Sequence, residues 1–492
     1  MDGQAATLAF LSDPASYGAP SLAVARIDTH LSAVFLAGDF AYKLKRAVKL
    51  PFVDFSTIEK RRAACAAELA VNRRTAAGLY LDIRAVRKSG DRLTFDGEGE
   101  IVDWVVAMRR FPDDALWDAR AVAGRIAPDD VRDLADAVAA FHAAAETTPA
   151  HGGVADLDWT RTGNAADLAR FFDAAACAAL DAATAARIAA HADLIAARAA
   201  DGHVRRCHGD LHLRNITTLG GKPVPFDAIE FDDRISCIDT LYDLAFLLVD
   251  WLRAGRGDFA AQTLLRYLQR RPDEAGLALL PLFMSLRAAV KAKTRAMAGA
   301  LPEARICFDM AARFLSPPPA RLVAIGGLSG TGKSALAAAL APAVGAAPGA
   351  LVLRSDVERK RLAGAAPEER LPPSAYVKEA SAAVYASLHA RAQTALAAGH
   401  SVIVDAVYAD AAERAGVAAL APPGGFCGLW LSCPEPIRLA RVRARTGDAS
   451  DADAEVVRFQ SRLGAEGGDW ALIDAGGAPE RTLAAALLRQ VK

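Results

Sequence analysis

Residues 327–334, which read GLSGTGKS, constrain the fold of this chain more than any other segment. They match the pattern G-x-x-x-x-G-K-S in full, after the apolar run RLVAIG and before an alanine-rich stretch. Glycines in such a segment allow successive backbone N–H groups to converge on phosphate oxygens at the N-terminus of a helix. The pattern therefore predicts a strand, a phosphate-binding loop (hereafter the P-loop) and a helix, in this order.

The P-loop predicts a site for ATP and Mg²⁺. Lys333 is expected to reach the β- and γ-phosphates, and the Ser334 hydroxyl is expected to bind Mg²⁺. Further along, the run SVIVDA puts Asp405 at the end of a strand, where a second Mg²⁺ ligand is expected. An ordinary strand-end aspartate is the alternative. The phosphates are also expected to contact the other residues of the loop, Gly327, Leu328, Ser329, Gly330, Thr331 and Gly332.

Three consecutive prolines at positions 317–319 separate two kinds of sequence. Proline cannot continue a helix and favours an extended spacer. After the prolines, short apolar runs alternate with helical stretches, which predicts an α/β fold with a parallel sheet. A chain of 492 residues is also too long for one hydrophobic core. We therefore predict two domains, residues 1–317 and residues 318–492.

A second motif, HGDLHLRN, begins at His208. Its Asp210 and Asn215 have the spacing of the D-x-x-x-x-N catalytic loop of kinases, where the aspartate orients the acceptor hydroxyl and the asparagine binds Mg²⁺. A polar turn between hydrophobic elements is the alternative. An apolar hairpin follows and ends in PFDAIEFDD, in which Asp227 and Glu230 are both candidates for the second Mg²⁺ ligand. The sequence leaves the choice between these two acids open.

Upstream of this motif, the sequence predicts a small sheet interrupted by one helix. Strand-like runs include FAYKLKR, and the helical segment that follows opens with Ser56 as a candidate N-cap. Lys43 lies on the strand and Glu68 on the helix. Lys45 is the alternative to Lys43, because side chains two residues apart share one face of a strand. From about residue 127 the period is helical, so we expect a small sheet joined to a larger helical lobe.

These motifs resemble two known families. Residues 20–315, with HGD at the start of the loop and the later segment DTLYDLAFLL, resemble the aminoglycoside phosphotransferase and choline kinase branch of the protein-kinase-like fold. Residues 320–492 resemble P-loop kinases such as gluconate kinase, polynucleotide 5′-kinase and zeta-toxin-like enzymes. The fusion is similar to bacterial bifunctional phosphotransferase/ATP-binding proteins. The resemblance implies a bilobed, protein-kinase-like α+β domain followed by an α/β P-loop NTPase domain.

The first resemblance implies roles for residues of the N-terminal part. Lys43 and Glu68 match the lysine–glutamate pair that positions the α- and β-phosphates of ATP. Met108, in the run VVAMRRF, matches the centre of the hinge segment behind the adenine. Asp243 matches a residue that supports the catalytic loop.

One expected feature is missing from the N-terminal part, because no G-x-G-x-x-G precedes Lys43. The corresponding stretch reads RIDTHLSAVFLAGD. Phosphate contacts are expected instead from backbone and hydroxyl groups near Thr29 and Ser32. A weak or inactive N-terminal site is the alternative.

The second resemblance implies an acceptor side for the P-loop site. In the run LRSDVERKRL, Asp356 matches an acceptor-activating aspartate, with Arg359 one turn further along. Arg441 and Arg445, together with Arg438, match lid arginines that neutralise charge on the transferring phosphoryl group. The alternatives are that Asp356 caps a helix and that the arginines form a solvated helix surface.

Charge and cysteine content narrow the class of protein. Lys+Arg and Asp+Glu both number 58, so no basic excess favours nucleic acid or a membrane surface. The seven cysteines have no metal-ligand spacing, and the N-terminus does not read as a signal peptide. We expect a cytoplasmic protein.

The leading hypothesis is an ATP-dependent kinase with two nucleotide sites that phosphorylates small hydroxylated molecules. In a second hypothesis, one domain is an active kinase and the other is a regulatory nucleotide-binding module. A third is aminoglycoside resistance, for which the acidic runs DDALWDAR and EFDDR offer side chains. Neither the acceptor nor the oligomeric state follows from the sequence.

Overall fold

The computed structural model describes residues 4–50, 53–366, 369–445, 449–462 and 466–490. The chain divides into two compact units, Met1–Ala254 and Gly255–Lys492. The predicted two-domain architecture is confirmed. The boundary predicted after residue 317 lies inside the second unit, and the limits of the two domains stay a prediction.

The first unit contains a six-stranded sheet, two short strand pairs and a hairpin. Its strands are β1 (Val24–Asp28), β2 (Ser32–Ala37), β3 (Phe40–Lys45), β4 (Lys49–Leu50), β5 (Val53–Asp54), β6 (Tyr80–Ser89), β7 (Arg92–Phe95), β8 (Glu100–Arg109), β9 (Val204–Arg206), β10 (Ile216–Leu219), β11 (Lys222–Pro225) and β12 (Cys237–Asp239). Its helices are α1 (Ala5–Ser12), α2 (Ile58–Ala76), α3 (Trp117–Val122), α4 (Pro128–Ala144), α5 (Val154–Leu168), α6 (Ala174–Ala190), α7 (Ala192–Ala200), α8 (Asp233–Ser236) and α9 (Thr240–Arg253).

The large sheet has two different faces. Its strands follow the order β1-β2-β3-β8-β6-β7, and neighbouring strands are antiparallel. On β3, Tyr42 points to the face where Leu11 of α1 is buried. Lys43 and Lys45 point to the opposite face because side chains alternate along a strand. Helix α2, which carries Glu68, packs on this opposite face.

The N-cap of α2 differs from the prediction by one residue. The helix begins at Ile58, and the side chain of Thr57 accepts a hydrogen bond from the Lys60 N–H at 3.3 Å. The Ser56 hydroxyl instead donates to the Asp54 carboxylate at 2.6 Å. The prediction that Ser56 caps the helix is therefore wrong, because this hydroxyl is engaged in the preceding turn.

The segment between β9 and β10 is held by a buried helix. All residues from 240 to 251 of α9 are buried. Two acids on this helix accept hydrogen bonds from backbone N–H groups of the segment. Asp243 accepts from His208 and Gly209, and Asp250 accepts from Leu213. The backbone groups of a buried loop need such partners, so α9 fixes the course of the loop.

The second unit contains a five-stranded parallel sheet, as predicted. Its strands are β13 (Leu322–Gly327), β14 (Leu351–Arg354), β15 (Val402–Asp405), β16 (Phe426–Ser432) and β17 (Ala471–Asp474). Its helices are α10 (Gly257–Arg270), α11 (Leu280–Met297), α12 (Leu301–Phe314), α13 (Lys333–Leu340), α14 (Ser355–Leu362), α15 (Lys378–Ala397), α16 (Ala411–Ala418), α17 (Glu435–Ala444), α18 (Ala454–Arg462) and α19 (Pro479–Gln490).

The order of the strands brings the predicted site residues to one edge of this sheet. The order is β14-β15-β13-β16-β17, with β13 in the centre and all six of its residues buried. Ligands bind outside the carboxyl ends of the strands in such open sheets. The P-loop leaves the end of β13, and Asp405 ends the neighbouring strand β15.

Helices α10, α11 and α12 precede the three prolines but belong to the second unit. Leu265 of α10 packs against the apolar core beneath the parallel sheet. Among the described residues, the helical stretch Ala275–Met297 is long and apolar enough to cross a membrane, with a mean hydropathy of 1.4. Of its most apolar part, 78% is buried inside the protein, which is typical of a core helix.

Candidate active sites

In the first unit, Asp210 and Asn215 lie side by side. The Asn215 side-chain amide donates to the Asp210 carboxylate at 2.8 Å and to the Asp210 carbonyl oxygen at 3.1 Å. Asn215 is 8% exposed, whereas the side chain of Asp210 is 34% exposed. The structure thus brings the two predicted residues together and leaves the Asp210 carboxylate accessible from solvent.

Asp243 holds the beginning of this loop. Its buried carboxylate accepts hydrogen bonds from the backbone N–H groups of His208 at 3.0 Å and Gly209 at 2.9 Å. It also lies 3.0 Å from Nε2 of His142. Burial lowers the pKa of His208, whose Nε2 lies 3.0 Å from the carbonyl oxygen of Phe226. A neutral imidazole that donates to this carbonyl therefore links the loop to the hairpin.

The Lys43 ammonium forms ion pairs with both Glu68 and Asp227. Nζ of Lys43 lies 2.7 Å from Oε1 of Glu68 and 2.6 Å from Oδ1 of Asp227. Burial disfavours the charged form of Lys43, but Asp227 and Glu68 outweigh it and hold the pKa of Lys43 well above its ordinary value. Burial likewise opposes ionisation of Glu68, but Lys43 and Lys45 lower the pKa of Glu68 to about 2. Lys43 and Glu68 are therefore both charged at neutral pH.

The two acids that follow the hairpin have different surroundings. The side chain of Asp227 is 43% exposed, and its backbone has a φ of +62°, in the left-handed region. Such a conformation in a non-glycine residue persists only where the surroundings hold it, often at a ligand site. The side chain of Glu230 is 5% exposed and forms a close ion pair with Lys45. Burial raises the pKa of Glu230. Asp227 is therefore the acid with the more accessible carboxylate.

Met108 and the β1–β2 turn complete the predicted residues of the first unit. Met108 is 9% exposed and packs in a buried cluster with Tyr80. In the turn, the Ser32 N–H donates to the Thr29 hydroxyl oxygen at 2.9 Å, and Ser32 is 2% exposed. The Thr29 hydroxyl thus closes the turn. The hinge role of Met108 and the phosphate contacts of this turn stay predictions.

In the second unit, glycines give the P-loop its backbone course. Gly327, Gly330 and Gly332 have φ angles of 140°, 83° and 97°, which favour glycine. A Cβ on Gly330 would lie 2.7 Å from the carbonyl oxygen of Arg438, so no larger residue fits there. Gly332 directly precedes α13, and the loop therefore ends at a helix N-terminus suited to phosphate.

The two predicted Mg²⁺ ligands of this unit contact each other. The Ser334 hydroxyl donates to the Asp405 carboxylate at 2.6 Å, and Asp405 is 4% exposed. The Lys333 ammonium donates to the Leu328 carbonyl oxygen at 3.3 Å, and burial lowers its pKa. A hydroxyl and a carboxylate are the oxygen ligands that Mg²⁺ accepts beside phosphates. These residues fit Mg²⁺ and ATP.

A cavity of about 840 Å³ opens next to the P-loop. Its lining includes predicted residues from both sides of the site, namely Lys333, Ser334, Asp356, Arg359, Asp405 and Arg445. Burial, together with the neighbouring Asp405, raises the pKa of Asp356. A raised pKa makes a carboxylate a stronger base near neutral pH. The structure therefore places the residues predicted for the phosphates and those predicted for the acceptor around one cavity.

The three arginines near α17 have different positions. Arg445, just after the helix, lines the cavity. Arg441 donates to the Thr331 carbonyl oxygen at 3.1 Å, behind the P-loop backbone. Arg438 is 4% exposed and donates to the carbonyl oxygen of Ser329 in the P-loop at 3.5 Å. Arg438 and Arg441 therefore support the site's backbone, and direct charge neutralisation by Arg441 stays a prediction.

Residues outside the motifs also shape this cavity. Asp451 accepts hydrogen bonds from the buried Lys360 ammonium at 2.8 Å and from the Tyr376 hydroxyl. Gln460 of α18 accepts from the Ser329 N–H of the P-loop at 2.7 Å. Sequence reasoning missed these residues because no fixed spacing links them to the motifs. The acid-rich run DASDAD around Asp451 is the one available signal.

Comparisons with known proteins identify two family domains. The model described as "Phosphotransferase enzyme family" matches residues 56–280, and the one described as "AAA domain" matches residues 322–463. The uncharacterized protein Rv2004c of Mycobacterium tuberculosis (strain H37Rv) is 30% identical over 480 residues, which cover 93% of each chain. The same values hold for the uncharacterized protein Mb2027c of Mycobacterium bovis. The chain belongs to the family of these mycobacterial proteins. It combines a phosphotransferase domain with an AAA domain, and it is an ATP-dependent enzyme of the kinase type.

Solved structures similar to this family member cover one part of the chain each. A gluconokinase from Sinorhizobium meliloti 1021 is 20% identical, with a TM-score of 0.27, and covers 35% of this chain and 92% of its own. A thermostable mutant of aminoglycoside phosphotransferase APH(4)-Ia is 16% identical, with a TM-score of 0.40, and the match covers 63% of this chain and 98% of that enzyme. A choline/ethanolamine kinase family protein from Mesorhizobium loti is 14% identical, with a TM-score of 0.37, and the match covers 63% of this chain and 97% of that protein.

Proposed function

We propose that this chain is a kinase with two nucleotide sites, each of which transfers the γ-phosphoryl group of ATP to a hydroxyl of a small molecule. The observation that carries the proposal is that each unit has an acid for the acceptor close to groups that suit Mg²⁺. In the first unit, Asp210 lies 2.8 Å from Asn215. In the second, Asp356 shares its cavity with Ser334 and Asp405.

At the P-loop site, the loop backbone and Lys333 hold the phosphates, and Ser334 and Asp405 hold Mg²⁺. When bound, Mg²⁺ offsets the negative charge that the phosphate oxygens carry. Asp356 orients the acceptor hydroxyl and accepts its proton while the hydroxyl oxygen bonds to the γ-phosphorus. The bond from the γ-phosphorus to the bridging oxygen breaks, and ADP keeps the electron pair. Arg445 adds positive charge at the transferring group.

At the site of the first unit, Asp210 has the role that Asp356 has in the second. Lys43, oriented by Glu68, contacts the α- and β-phosphates, and Asn215 and Asp227 hold Mg²⁺. We choose Asp227 over Glu230 for two reasons. The side chain of Asp227 is 43% exposed, whereas the side chain of Glu230 is 5% exposed and paired with Lys45.

A second candidate function makes the first unit a nucleotide sensor that regulates the P-loop kinase. The β1–β2 turn favours it, since the Thr29 hydroxyl is used to close the turn. A sensor binds nucleotide without turnover. Under this alternative, a Lys333→Met variant still binds one nucleotide per chain but phosphorylates no acceptor.

The acceptor is expected to be a small molecule with a hydroxyl group, and the protein is expected to act in the cytoplasm. The seven cysteines are free thiols, which agrees with a reducing compartment. An aminoglycoside acceptor rests on fold resemblance alone, and a fold does not determine an acceptor.

Labelling with [γ-³²P]ATP tests the proposal. The wild-type chain and the variants Asp210→Asn and Lys333→Met are incubated with Mg²⁺ and a fractionated bacterial metabolite extract. We expect a labelled product that one variant loses and the other keeps, which assigns the reaction to a unit. Equal labelling of every product by all three proteins would contradict both sites. Nucleotide binding without any labelled product would favour the sensor function.

A further inference from the structure

Helix α14 carries two acids on opposite sides. Asp356 lines the cavity next to the P-loop. Glu358 follows two residues later, and two steps along an α-helix rotate a side chain by about 200°. Glu358 accordingly points away from the cavity and is 1% exposed. The surroundings of Glu358 therefore determine where α14 holds Asp356.

Glu358 is bound from several directions. Its Oε1 accepts from Arg361 at 2.5 Å and from the Ser387 hydroxyl, and its Oε2 accepts from Arg391 of α15 at 2.6 Å. Burial opposes ionisation of Glu358, but these donors outweigh it and lower its pKa. Removal of one charged partner from a buried carboxylate strongly destabilises the folded state. This network therefore keeps α14 in one position.

Arg391 extends the network to residues before the three prolines. Its Nε donates to Oε1 of Glu274 at 2.8 Å, and a second nitrogen donates to the same oxygen. Glu274 is 9% exposed and directly precedes the turn Ala275–Leu279 between α10 and α11. It lies within the part of the chain that the phosphotransferase model matches, whereas Glu358 and Arg391 lie within the AAA match.

Apolar packing follows the same route. Leu265 and Leu268 of α10 line a small cavity together with Leu353 of β14 and Val357 of α14. Helices α10 and α14 thus line one cavity, on the side of α14 that carries Glu358, and the turn after α10 is linked to α14 through Arg391 of α15. The P-loop, which binds the nucleotide, leaves a different strand.

We propose that Glu274 and Arg391 are positioning residues for phosphoryl transfer at the P-loop site, and that helix α10 and the turn after it support this site. The proposal rests on the proposed kinase function of the second unit. Glu274 fixes Arg391, Arg391 fixes Glu358, and α14 then holds Asp356 against the acceptor. Loss of this chain of contacts slows transfer more than it weakens nucleotide binding, because rate depends steeply on geometry.

The test uses the full chain in an Asp210→Asn background, with Mg·ATP as substrate and water as acceptor. Phosphate release is measured for Glu274→Gln, Arg391→Met and the double variant. We expect kcat to fall about tenfold in each single variant, with KM for ATP changed less than twofold and little further loss in the double variant. Glu274→Asp, which keeps the carboxylate, should recover part of the rate. Unchanged kcat in Arg391→Met would overturn the proposal.

A matched control and a second measurement separate positioning from general damage. Asp309→Asn removes an exposed pair with Arg305 (2.9 Å) in α12 and should change nothing. Amide hydrogen exchange over residues 355–362 should rise in Glu274→Gln and stay the same in Asp309→Asn, and equal exchange in both would count against the proposal. Phosphate release that survives Lys333→Met would instead contradict the kinase function, while the exchange data still test the network.

Discussion

The Ser334 hydroxyl donates a 2.6 Å hydrogen bond to the Asp405 carboxylate, although 71 positions separate them in the sequence. The parallel sheet explains this contact. Strands β13 and β15 are neighbours, and Ile325 pairs with Asp405 at their carboxyl ends. Both side chains offer oxygen, the atom that Mg²⁺ prefers. Two separate sequence motifs thus meet at one edge of the sheet.

Asp405→Asn should raise the Mg²⁺ concentration needed for half-maximal phosphate release at the P-loop site. Loss of one charged oxygen ligand should also lower the rate about tenfold or more, since loss of even an outer-shell partner of a metal site costs about 10- to 100-fold. Mg²⁺ titrations of the rate in an Asp210→Asn background measure both effects. Glu480→Gln, an exposed position at the start of α19, is the control. The same Mg²⁺ dependence in wild type and Asp405→Asn would contradict the metal role.

Glu68→Gln should destabilise the first unit by about 3 kcal/mol. Glu68 is fully buried between Lys43 (2.7 Å) and Lys45 (2.6 Å), and its removal leaves the lysines less compensated. Hydrogen exchange of amides in α2 reports the free energy of opening in this region. Asp54→Asn, which breaks a more exposed pair with Lys60, should cost much less than Glu68→Gln, because water screens exposed ion pairs. Equal losses of opening free energy in the two variants would show that burial of Glu68 gives its ion pairs no extra stabilising effect.

The pH dependence of P-loop turnover should reflect Asp356. Burial and the neighbouring Asp405 raise the pKa of Asp356 above its ordinary value. Since the base acts when deprotonated, kcat/KM should rise with pH through this raised pKa and then level off. In Asp356→Asn the rate should be low and this acid limb should disappear. A limb that persists in Asp356→Asn belongs to another group and would refute the assignment.

Asp243→Asn should impair the first site without touching any nucleotide contact. An asparagine keeps one acceptor oxygen, whereas the Asp243 carboxylate serves the N–H groups of His208 and Gly209. Leaving a buried donor unpaired costs about 1–3 kcal/mol. Labelling dependent on Asp210 should therefore fall, while phosphate release at the P-loop site is retained. Asp201→Asn, exposed after α7, is the control, and matching rates in the two variants would contradict the supporting role.

Features with a fixed spacing could be predicted from the sequence. The strand, loop and helix around the P-loop, the parallel sheet and the adjacent Asp210 and Asn215 all follow from local patterns. One further residue could have been predicted in the same way. Asn72 lies four positions after Glu68, on the same helix face, and its side chain accepts a hydrogen bond from the Ala228 N–H at 2.8 Å. Such local signals predict a residue's partners when both lie on regular elements.

Contacts between distant segments could not be predicted in this way. Nothing in the sequence links Asp451 to Lys360, or Glu274 to Arg391, because these pairs depend on how whole elements pack. The same holds for helices α10–α12, whose helical period resembles that of the preceding region although they pack in the second unit. Packing of apolar faces is nondirectional, so a pattern of buried positions does not specify its partner.

Calorimetric titration with Mg·ADP tests most directly whether the chain has two nucleotide sites. Wild-type protein, Lys43→Met and Lys333→Met are compared at equal concentration. We expect two bound ADP per wild-type chain and one in each variant. One ADP per wild-type chain, lost in Lys333→Met and unchanged in Lys43→Met, would contradict a nucleotide site in the first unit.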